Sequence, residues 1–307
     1  MPNSQSAAPY RLASAEIAGR PAVVIAAGDA LRRLDDVVRD AQVPSHVHEL
    51  LPEWDAWEAR LDAAAAQVAD APTVTVDRWL APVAPSKLVC IGVNYRDHLA
   101  EMGGTAPPPL PYSFLKPSST GLAASGAPVA MPLGATMLDW EAELAVVIGR
   151  PLRARRGADV LDAVAGYTVY NDLSARDWIA HKAPDVGIDW VLMKGHDGFS
   201  PVGPYLTPRR FVSDPQNLAI RCWVNGEIKQ DSSTSQMIFG IQEILQHLSA
   251  IMTLEPGDVV ATGTPAGVGF GARPQQFLRP GDGVAVEIEG LGRLETVIVD
   301  QTEGVAA

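Results

Sequence analysis

Two glutamates stand two positions apart in the stretch LDWEAELAVVIG, residues 138–149. If this stretch is a β-strand, its side chains alternate between two faces, so Glu141 and Glu143 point the same way. The residues that follow are apolar on both faces, which is typical of a strand that enters a core. Two crowded carboxylates repel each other, so one must take up a proton or both must bind a cation. The spacing alone leaves open a pair of solvent-facing glutamates on an edge strand.

A third carboxylate, Asp172, follows the apolar pattern GYTVY in the segment GYTVYNDLSARD. The chain between Glu143 and Asp172 is long enough for the two residues to lie on neighbouring strands. Three carboxylates with no histidine or cysteine among them make a hard-oxygen site, which suits Mg²⁺, Mn²⁺ or Ca²⁺ better than Zn²⁺. The spacing indicates such a metal site without establishing it.

A histidine and a glutamate lie three positions apart in NYRDHLAEMG, where a predicted strand gives way to a helical turn. At this spacing His98 and Glu101 share one face of the turn. A glutamate beside a histidine fixes the tautomer and raises the basicity of the ring, as a general base requires. A surface ion pair is the alternative. Lys194 in VLMKGHDGF follows a predicted apolar strand and could face a pocket, although the sequence alone favours a surface lysine.

The glycine-rich stretch TGTPAGVGFG, residues 262–271, is not a nucleotide phosphate loop. It lacks the Gly-Lys-Ser/Thr ending, and no helical pattern follows it. Its backbone N–H groups and the Thr264 hydroxyl could still hold a carboxylate.

Composition and charge restrict the class of protein. The chain has 307 residues, 47% hydrophobic and 20% charged, which is ordinary globular composition. Its 27 glycines and 25 prolines favour short strands and turns. The net charge of −12 argues against nucleic-acid and anionic-membrane partners, which require clustered Lys and Arg. An anionic substrate would therefore need a local cation.

The remaining features predict a reduced, cytoplasmic protein. Cys90 and Cys222 lie in apolar strand-like runs, where buried reduced thiols are expected. The first residues show no signal peptide, and no run approaches the roughly 18 apolar residues of a membrane span.

The periodicity predicts a strand-rich α+β fold. A disordered tail is expected over residues 1–9, and an alanine-rich helix over 54–70. The proline-rich segment 71–86 is the predicted link between a small N-terminal module, residues 1–80, and a catalytic domain, residues 81–307. That domain is expected to begin with a strand over 87–95. It is also expected to contain an amphipathic helix over 237–253 among many short strands.

Six segments resemble the fumarylacetoacetate hydrolase family and occur in the order seen there. The resemblance covers about residues 87–298, and the segments together are highly specific: IGVNYRDHLAEMG, DWEAELAVVIGR, GYTVYNDLSARD, KGHDGFSPVGP, VNGEIKQDSSTSQMIF and LEPGDVVATGTPAGVG. It implies the mixed β-roll, or pseudo-barrel, of that family, usually in a homodimer.

The resemblance also implies roles for the candidate residues. Mg²⁺ or Mn²⁺, with Ca²⁺ possible, would be held by the three acids Glu141, Glu143 and Asp172. The pair His98 and Glu101 would be catalytic and lie on a lid, expected to be mobile over residues 96–110 until a ligand binds. Lys194 would be the active-site lysine, and Arg176 and Thr264 would lie near the carboxylate of the substrate.

The chemistry implied is hydrolysis of a carbon–carbon bond in a ketonic substrate. The substrate would be a 2,4-dioxo acid such as an acylpyruvate or fumarylpyruvate, cleaved to pyruvate and a carboxylic acid. Oxaloacetate-type decarboxylation and dienoate isomerisation at the same site are alternatives, and a non-catalytic metal-binding scaffold is a further one. Two positions depart from the family pattern: Ile179, where many relatives have glutamine, and Gly198, where threonine is common.

Overall fold

A computed structural model describes residues 9–28, 30–38, 42–181 and 187–301. Apart from Pro9, the expected disordered tail lies outside these residues. Among the described residues, no helix is both long and apolar enough to cross a membrane.

Strands dominate the structure, and helices are few and short. The strands are β1 (Arg11–Ile17), β2 (Arg20–Ala27), β3 (Ala30–Arg33), β4 (Arg78–Leu80), β5 (Leu88–Gly92), β6 (Tyr112–Lys116), β7 (Leu122–Ala124), β8 (Pro128–Met131), β9 (Leu138–Asp139), β10 (Ala142–Ile148), β11 (Val164–Asn171), β12 (Ser174–Ala175), β13 (Ser200–Val202), β14 (Tyr205–Pro208), β15 (Ala219–Val224), β16 (Glu227–Ser233), β17 (Val259–Ala261), β18 (Gly283–Ile288) and β19 (Gly292–Asp300). The α-helices are α1 (Leu34–Val38), α2 (Trp54–Ala64), α3 (Arg96–Glu101), α4 (Trp190–Lys194) and α5 (Ile241–Ile251). Short 3₁₀ helices cover Val47–Glu53, Ala65–Gln67, Ala158–Ala163, Arg176–His181, Arg209–Phe211 and Thr234–Gln236.

The antiparallel pair β10 and β11 lies at the centre of the largest sheet. Every residue of both strands is buried, as their continuous apolar character predicts. The main path of this sheet runs β3-β2-β1-β14-β11-β10-β17-β5-β6. A five-stranded sheet, β16-β15-β18-β19-β8, shares a hydrophobic core with it, and β9 and β12 form a small third sheet. The predicted strand-rich α+β class is confirmed.

The N-terminal strands belong to the same large sheet as the central strands β10 and β11. Strand β1 pairs with β14, so that Leu12 lies opposite Leu206. A second apolar cluster joins Leu12 and Trp57 to Val147 of β10. The division near residue 80 stays a prediction, but the two segments share a sheet and a core.

Several element boundaries differ from the predicted ones. Helix α2 ends at Ala64 and continues only as a 3₁₀ turn, so the predicted helix over 54–70 was too long. Strand β5 ends at Gly92 because Val93 adopts a left-handed φ of 54°. The strand predicted over 87–95 is therefore shorter.

Helix α5 begins at Ile241 and not at residue 237. Asn94 holds the preceding segment in an extended form, since its carbonyl accepts from the Ile238 N–H at 2.7 Å and its side chain accepts from the Phe239 N–H at 2.8 Å. The Gly240 N–H then donates to the Glu243 carboxylate at 2.9 Å, which caps the helix. The apolar face of α5 packs into the core as expected.

Gly166 is required where β11 passes β14. A Cβ atom placed on Gly166 would lie 2.2 Å from the Thr207 carbonyl oxygen, which is backbone and cannot rotate away. We expect Gly166→Ala to lower the free energy of unfolding by about 1–3 kcal/mol, measured by urea denaturation. The matched control is Gly283→Ala, whose Cβ would meet no atom within 4 Å. Equal losses in the two variants would contradict the close approach.

Candidate metal and active site

The pairing of β10 with β11 brings the three predicted acids together. Ala142 lies opposite Asn171, and just beyond this pair the Asp172 N–H donates to the Glu141 carbonyl at 2.9 Å. Oxygen atoms of Glu141, Glu143 and Asp172 all lie within 4.8 Å of one another, and all three residues are buried. A slip of one residue in this register would turn the glutamates to the other face of the sheet.

Lys194 lies between two of these carboxylates. Its Nζ donates to Glu141 Oε2 at 2.7 Å and also to Asp172. The residue is only 3% exposed, so the preference for a surface lysine was wrong. The predicted strand before it was also wrong, because Lys194 ends the short helix α4.

Arg176 forms a second bridge, at the start of a 3₁₀ helix. Its Nη2 donates to Glu141 Oε1 at 2.5 Å, and its Nε donates to Asp139 Oδ2 at 3.0 Å. Burial alone would raise the pKa of Glu141, but the charges of Lys194 and Arg176 outweigh burial and lower it to about 2. Glu141 is therefore held as a carboxylate.

Two charged residues of the cluster were not predicted from the sequence. Lys116, at the end of β6, donates to Asp172 Oδ1 at 2.5 Å and to the Phe199 carbonyl at 2.7 Å. Asp139 is fully buried and lies two positions before Glu141. The alternation that placed Glu141 and Glu143 on one face also includes Asp139, so that signal was present. Nothing in the local sequence distinguishes Lys116 from a surface lysine.

Glu143 is the carboxylate of the cluster that lacks a cationic partner. It accepts a hydrogen bond from the Gly263 N–H at 2.8 Å and forms no ion pair within the described ranges. Burial, together with the nearby carboxylates of Asp172 and Glu141, raises the pKa of Glu143 well above its ordinary value. Without a cation this carboxylate therefore takes up a proton more readily than an ordinary glutamate.

His98 and Glu101 form the predicted pair on α3. His98 Nδ1 lies 3.2 Å from Glu101 Oε2, and Glu101 Oε1 accepts from the Gly267 N–H at 2.9 Å. Burial raises the pKa of Glu101, but its hydrogen bonds with His98 and Gly267 more than offset this and lower it. Arg96 and Asp97 fasten the helix to neighbouring segments. The mobile lid stays a prediction, and its opening would break these contacts.

The glycine-rich loop after β17 binds carboxylates of this protein through its backbone. Besides the Gly263 and Gly267 contacts, the N–H groups of Gly269 and Phe270 donate to Asp139 at 2.7 and 3.0 Å. Thr264 Oγ1 accepts from Gln230 Nε2 at 2.8 Å. The loop therefore positions the acidic cluster and the neighbouring Glu101 together.

These groups open onto a cavity of about 330 Å³. Its polar lining includes the three acids and several of the predicted catalytic and substrate-binding residues: His98, Glu141, Glu143, Asp172, Arg176, Lys194 and Thr264. Ile179 also lines it and presents an apolar side chain to the cavity. Gly198 adopts a φ of 75°, which favours glycine there, and is absent from the lining of this cavity.

The fold and this acidic pocket define a class of metal-dependent enzymes. Residues 87–299 match the family described as fumarylacetoacetate (FAA) hydrolase C-terminal, and the chain belongs to this family. The mitochondrial oxaloacetate tautomerase fahd2 of Xenopus laevis is 44% identical over 221 residues, which cover 72% of this chain and 68% of that protein.

Solved structures agree with this membership. A fumarylacetoacetate hydrolase from psychrophilic Exiguobacterium antarcticum is 31% identical with a TM-score of 0.80, over 95% of this chain and 100% of that one. A maleylpyruvate hydrolase from Sphingobium sp. SYK-6, in complex with manganese(II) ion and pyruvate, is 27% identical with a TM-score of 0.75, over 94% and 99% of the two chains. The fold expected from the resemblance is confirmed.

Lys116 should contribute strongly to stability. We expect Lys116→Met to lower the free energy of unfolding by about 3–5 kcal/mol, because it removes one of the three cations that, with Arg176 and Lys194, oppose the buried carboxylates. The control is Arg78→Met, whose ion pair with Glu16 is exposed and should contribute no more than about 1 kcal/mol. Urea denaturation measures both. A loss at Lys116 as small as that at Arg78 would contradict the buried pairing.

Proposed function

We propose that this protein is a divalent-metal-dependent enzyme that interconverts the keto and enol forms of a 2-oxo acid. The observation that carries the proposal is the buried cluster of Glu141, Glu143 and Asp172 in the wall of a cavity that His98 also lines. Oxaloacetate is the substrate to test first, because the Xenopus laevis relative is named an oxaloacetate tautomerase.

The residues present suit a hard divalent cation such as Mg²⁺ or Mn²⁺, with Ca²⁺ as a third choice. The donor atoms are all carboxylate oxygens. Glu143, whose pKa is raised and which has no cationic partner among the described residues, is the ligand whose charged form a cation would stabilise most. The Sphingobium structure, in complex with manganese(II) ion and pyruvate, supports both the kind of ion and the kind of substrate.

A bound cation would stabilise negative charge on the 2-oxo oxygen of the substrate. His98 carries the proton. Its Nδ1 faces Glu101, so its Nε2 is left to take a proton from C3 of the 2-oxo acid. The same Nε2 returns the proton to the oxygen on C2, which completes the conversion of keto to enol.

The other polar groups orient the reaction. Glu101 fixes the imidazole ring of His98, and the Lys194 ammonium adds positive charge beside the developing oxyanion. Thr264 accepts a hydrogen bond from Gln230, so its own hydroxyl proton is left to donate to the substrate carboxylate. Arg176 binds Glu141 and Asp139 and so holds the cluster in place.

Hydrolysis of a 2,4-dioxo acid, which the motifs favoured, becomes the second candidate. The hydrogen-bonded pair of His98 and Glu101 supports it, since the same Nε2 could take a proton from water for attack on the distal carbonyl. The named maleylpyruvate hydrolase also supports it. The tautomerase relative has the higher sequence identity and therefore favours the oxaloacetate-type alternative. Decarboxylation and dienoate isomerisation also form an enol or enolate of a 2-oxo acid, and they differ from tautomerisation in the bond that is broken.

Three further expectations remain proposals. A homodimer and a cytoplasmic location follow from the resemblance and the composition. The mobile lid over 96–110 follows from the glycines and prolines near α3, and protection of its amides from hydrogen exchange on addition of oxalate would support it.

The assignment of reaction is tested with a substrate panel. With Mg²⁺ or Mn²⁺, we expect the protein to accelerate the decay of enol-oxaloacetate absorbance, coupled to malate dehydrogenase, and we expect EDTA to abolish the effect. Release of pyruvate from acylpyruvates without this acceleration would assign the hydrolase. Release of pyruvate and CO₂ from oxaloacetate would assign the decarboxylase. No turnover of any panel member would favour the metal-binding scaffold.

Mn²⁺ binding and turnover distinguish the role of the three acids from the role of the base His98. We expect Ala at Glu141, Glu143 or Asp172 to weaken Mn²⁺ binding by on the order of 100-fold and to abolish turnover, because the remaining carboxylates mainly repel. His98→Ala should keep Mn²⁺ binding but lower kcat about 10²–10⁴-fold, with a smaller loss in Glu101→Ala.

Calorimetry and turnover assays measure these two effects, with the exposed Glu295→Ala as the control for lost charge. Unchanged Mn²⁺ binding in any of the three acid variants would remove that residue from the site. Full turnover in His98→Ala would end its assignment as the base.

A further inference from the structure

The cavity wall is more apolar than an acidic metal site requires. Beside the charged cluster it is lined by a larger set of aliphatic and aromatic side chains: Ile91, Val93, Met102, Phe114, Ile179, Ile188, Trp190, Met193 and Phe270. The head of a 2-oxo acid needs only the polar set. The apolar set must therefore contact the rest of the substrate.

Every cationic side chain in the described lining of the cavity already has an acidic partner. Arg176 contacts Asp139 and Glu141, and Lys194 contacts Glu141 and Asp172. His98 offers no fixed positive charge and is hydrogen-bonded to Glu101 through Nδ1. A second carboxylate on the substrate would have to share a cation with an acid of the cluster, so it would be buried without a cationic partner of its own.

A rigid aromatic wall lies next to the cluster. The rings of Phe114 and Trp190 stack with centroids 4.5 Å apart at 12°, and Trp190 Nε1 donates to the Tyr112 hydroxyl at 2.8 Å, which fixes the indole. Lys194 Nζ is 5.3 Å from the Phe114 centroid and 6.0 Å from that of Trp190. A substrate whose head binds at the carboxylates therefore brings the group on C3 within reach of these rings.

We propose that this pocket selects 2-oxo acids whose C3 substituent is uncharged and apolar, above all planar, over dicarboxylic 2-oxo acids. The substrate class is thus of the arylpyruvate type, and the inference rests on the proposed function of the same site. Apolar surface buried against Ile179 and Ile188 favours such a substituent, and its ring can stack on Phe114 and Trp190. A charged substituent would lose water without gaining a cation.

Binding to the Mn²⁺-loaded protein tests the preference without requiring turnover. Calorimetry compares pyruvate, phenylpyruvate and 2-oxoglutarate, which share a head and differ in their substituents. We expect phenylpyruvate to bind on the order of tenfold more tightly than pyruvate, and 2-oxoglutarate no more tightly than pyruvate. Tightest binding of 2-oxoglutarate, equal affinities for all three, or binding of none would overturn the inference.

Two variants test whether the apolar wall is the source of the preference for phenylpyruvate. Ile179→Gln and Trp190→Leu should each weaken phenylpyruvate binding severalfold and leave pyruvate binding unchanged. Ile228→Gln on β16 makes the same chemical change as Ile179→Gln at an exposed position outside the cavity, and should change neither affinity. An unchanged preference for phenylpyruvate in both wall variants would overturn the assignment of the wall.

Turnover separates this inference from the proposed function. If the protein shows the expected order of binding but accelerates no tautomerisation, the tautomerase proposal fails and the preference for an apolar substituent stands. If it tautomerises oxaloacetate with a higher kcat/KM than phenylpyruvate, the preference fails and the tautomerase proposal stands.

Discussion

Repulsion among buried carboxylates is the constraint on which the rest of this structure depends. The acids and the cations that oppose them come from separate parts of the chain: Asp139, Glu141, Glu143 and Asp172 against Lys116, Arg176 and Lys194. Because an unmatched buried charge is strongly destabilising, β6, α4 and the 3₁₀ helix after β12 must dock where their cations meet these acids. The cluster thereby fixes the relative positions of elements that are far apart in the sequence.

Backbone N–H groups also stabilise the buried carboxylates. The glycine-rich loop donates to Glu143, Asp139 and Glu101, so it contacts both the acidic cluster and the His98–Glu101 pair. A loop that resembles a phosphate cradle in composition here cradles carboxylates of its own protein. Because one loop contacts both groups, the distance between the candidate base and the acidic cluster depends on its conformation.

The same arrangement suits several reactions of 2-oxo acids. Tautomerisation, hydrolysis and decarboxylation of 2-oxo acids all require negative charge to be stabilised on the oxygen at C2, which the acidic cluster and its cation would provide. They differ in where the proton moves and in what the substituent on C3 contains. In this chain, the proposed proton transfer depends on His98. The proposed fit of the C3 substituent depends on the apolar wall around Ile179 and Trp190.

The sequence by itself determined the acidic triad, the His98–Glu101 pair and the strand-rich class, because alternation along a strand and spacing along a helical turn are local properties. Its local pattern favoured a surface position for Lys194, which the family resemblance alone assigned to the site, and it gave no reason to single out Lys116. A lysine becomes a buried counterion only when distant acids surround it. Likewise, helix α5 begins late because Asn94, far away in the chain, holds the residues before it. Local pattern decided which residues could do chemistry. Strand register and long-range ion pairing decided which of them meet, since both depend on contacts that no local pattern encodes.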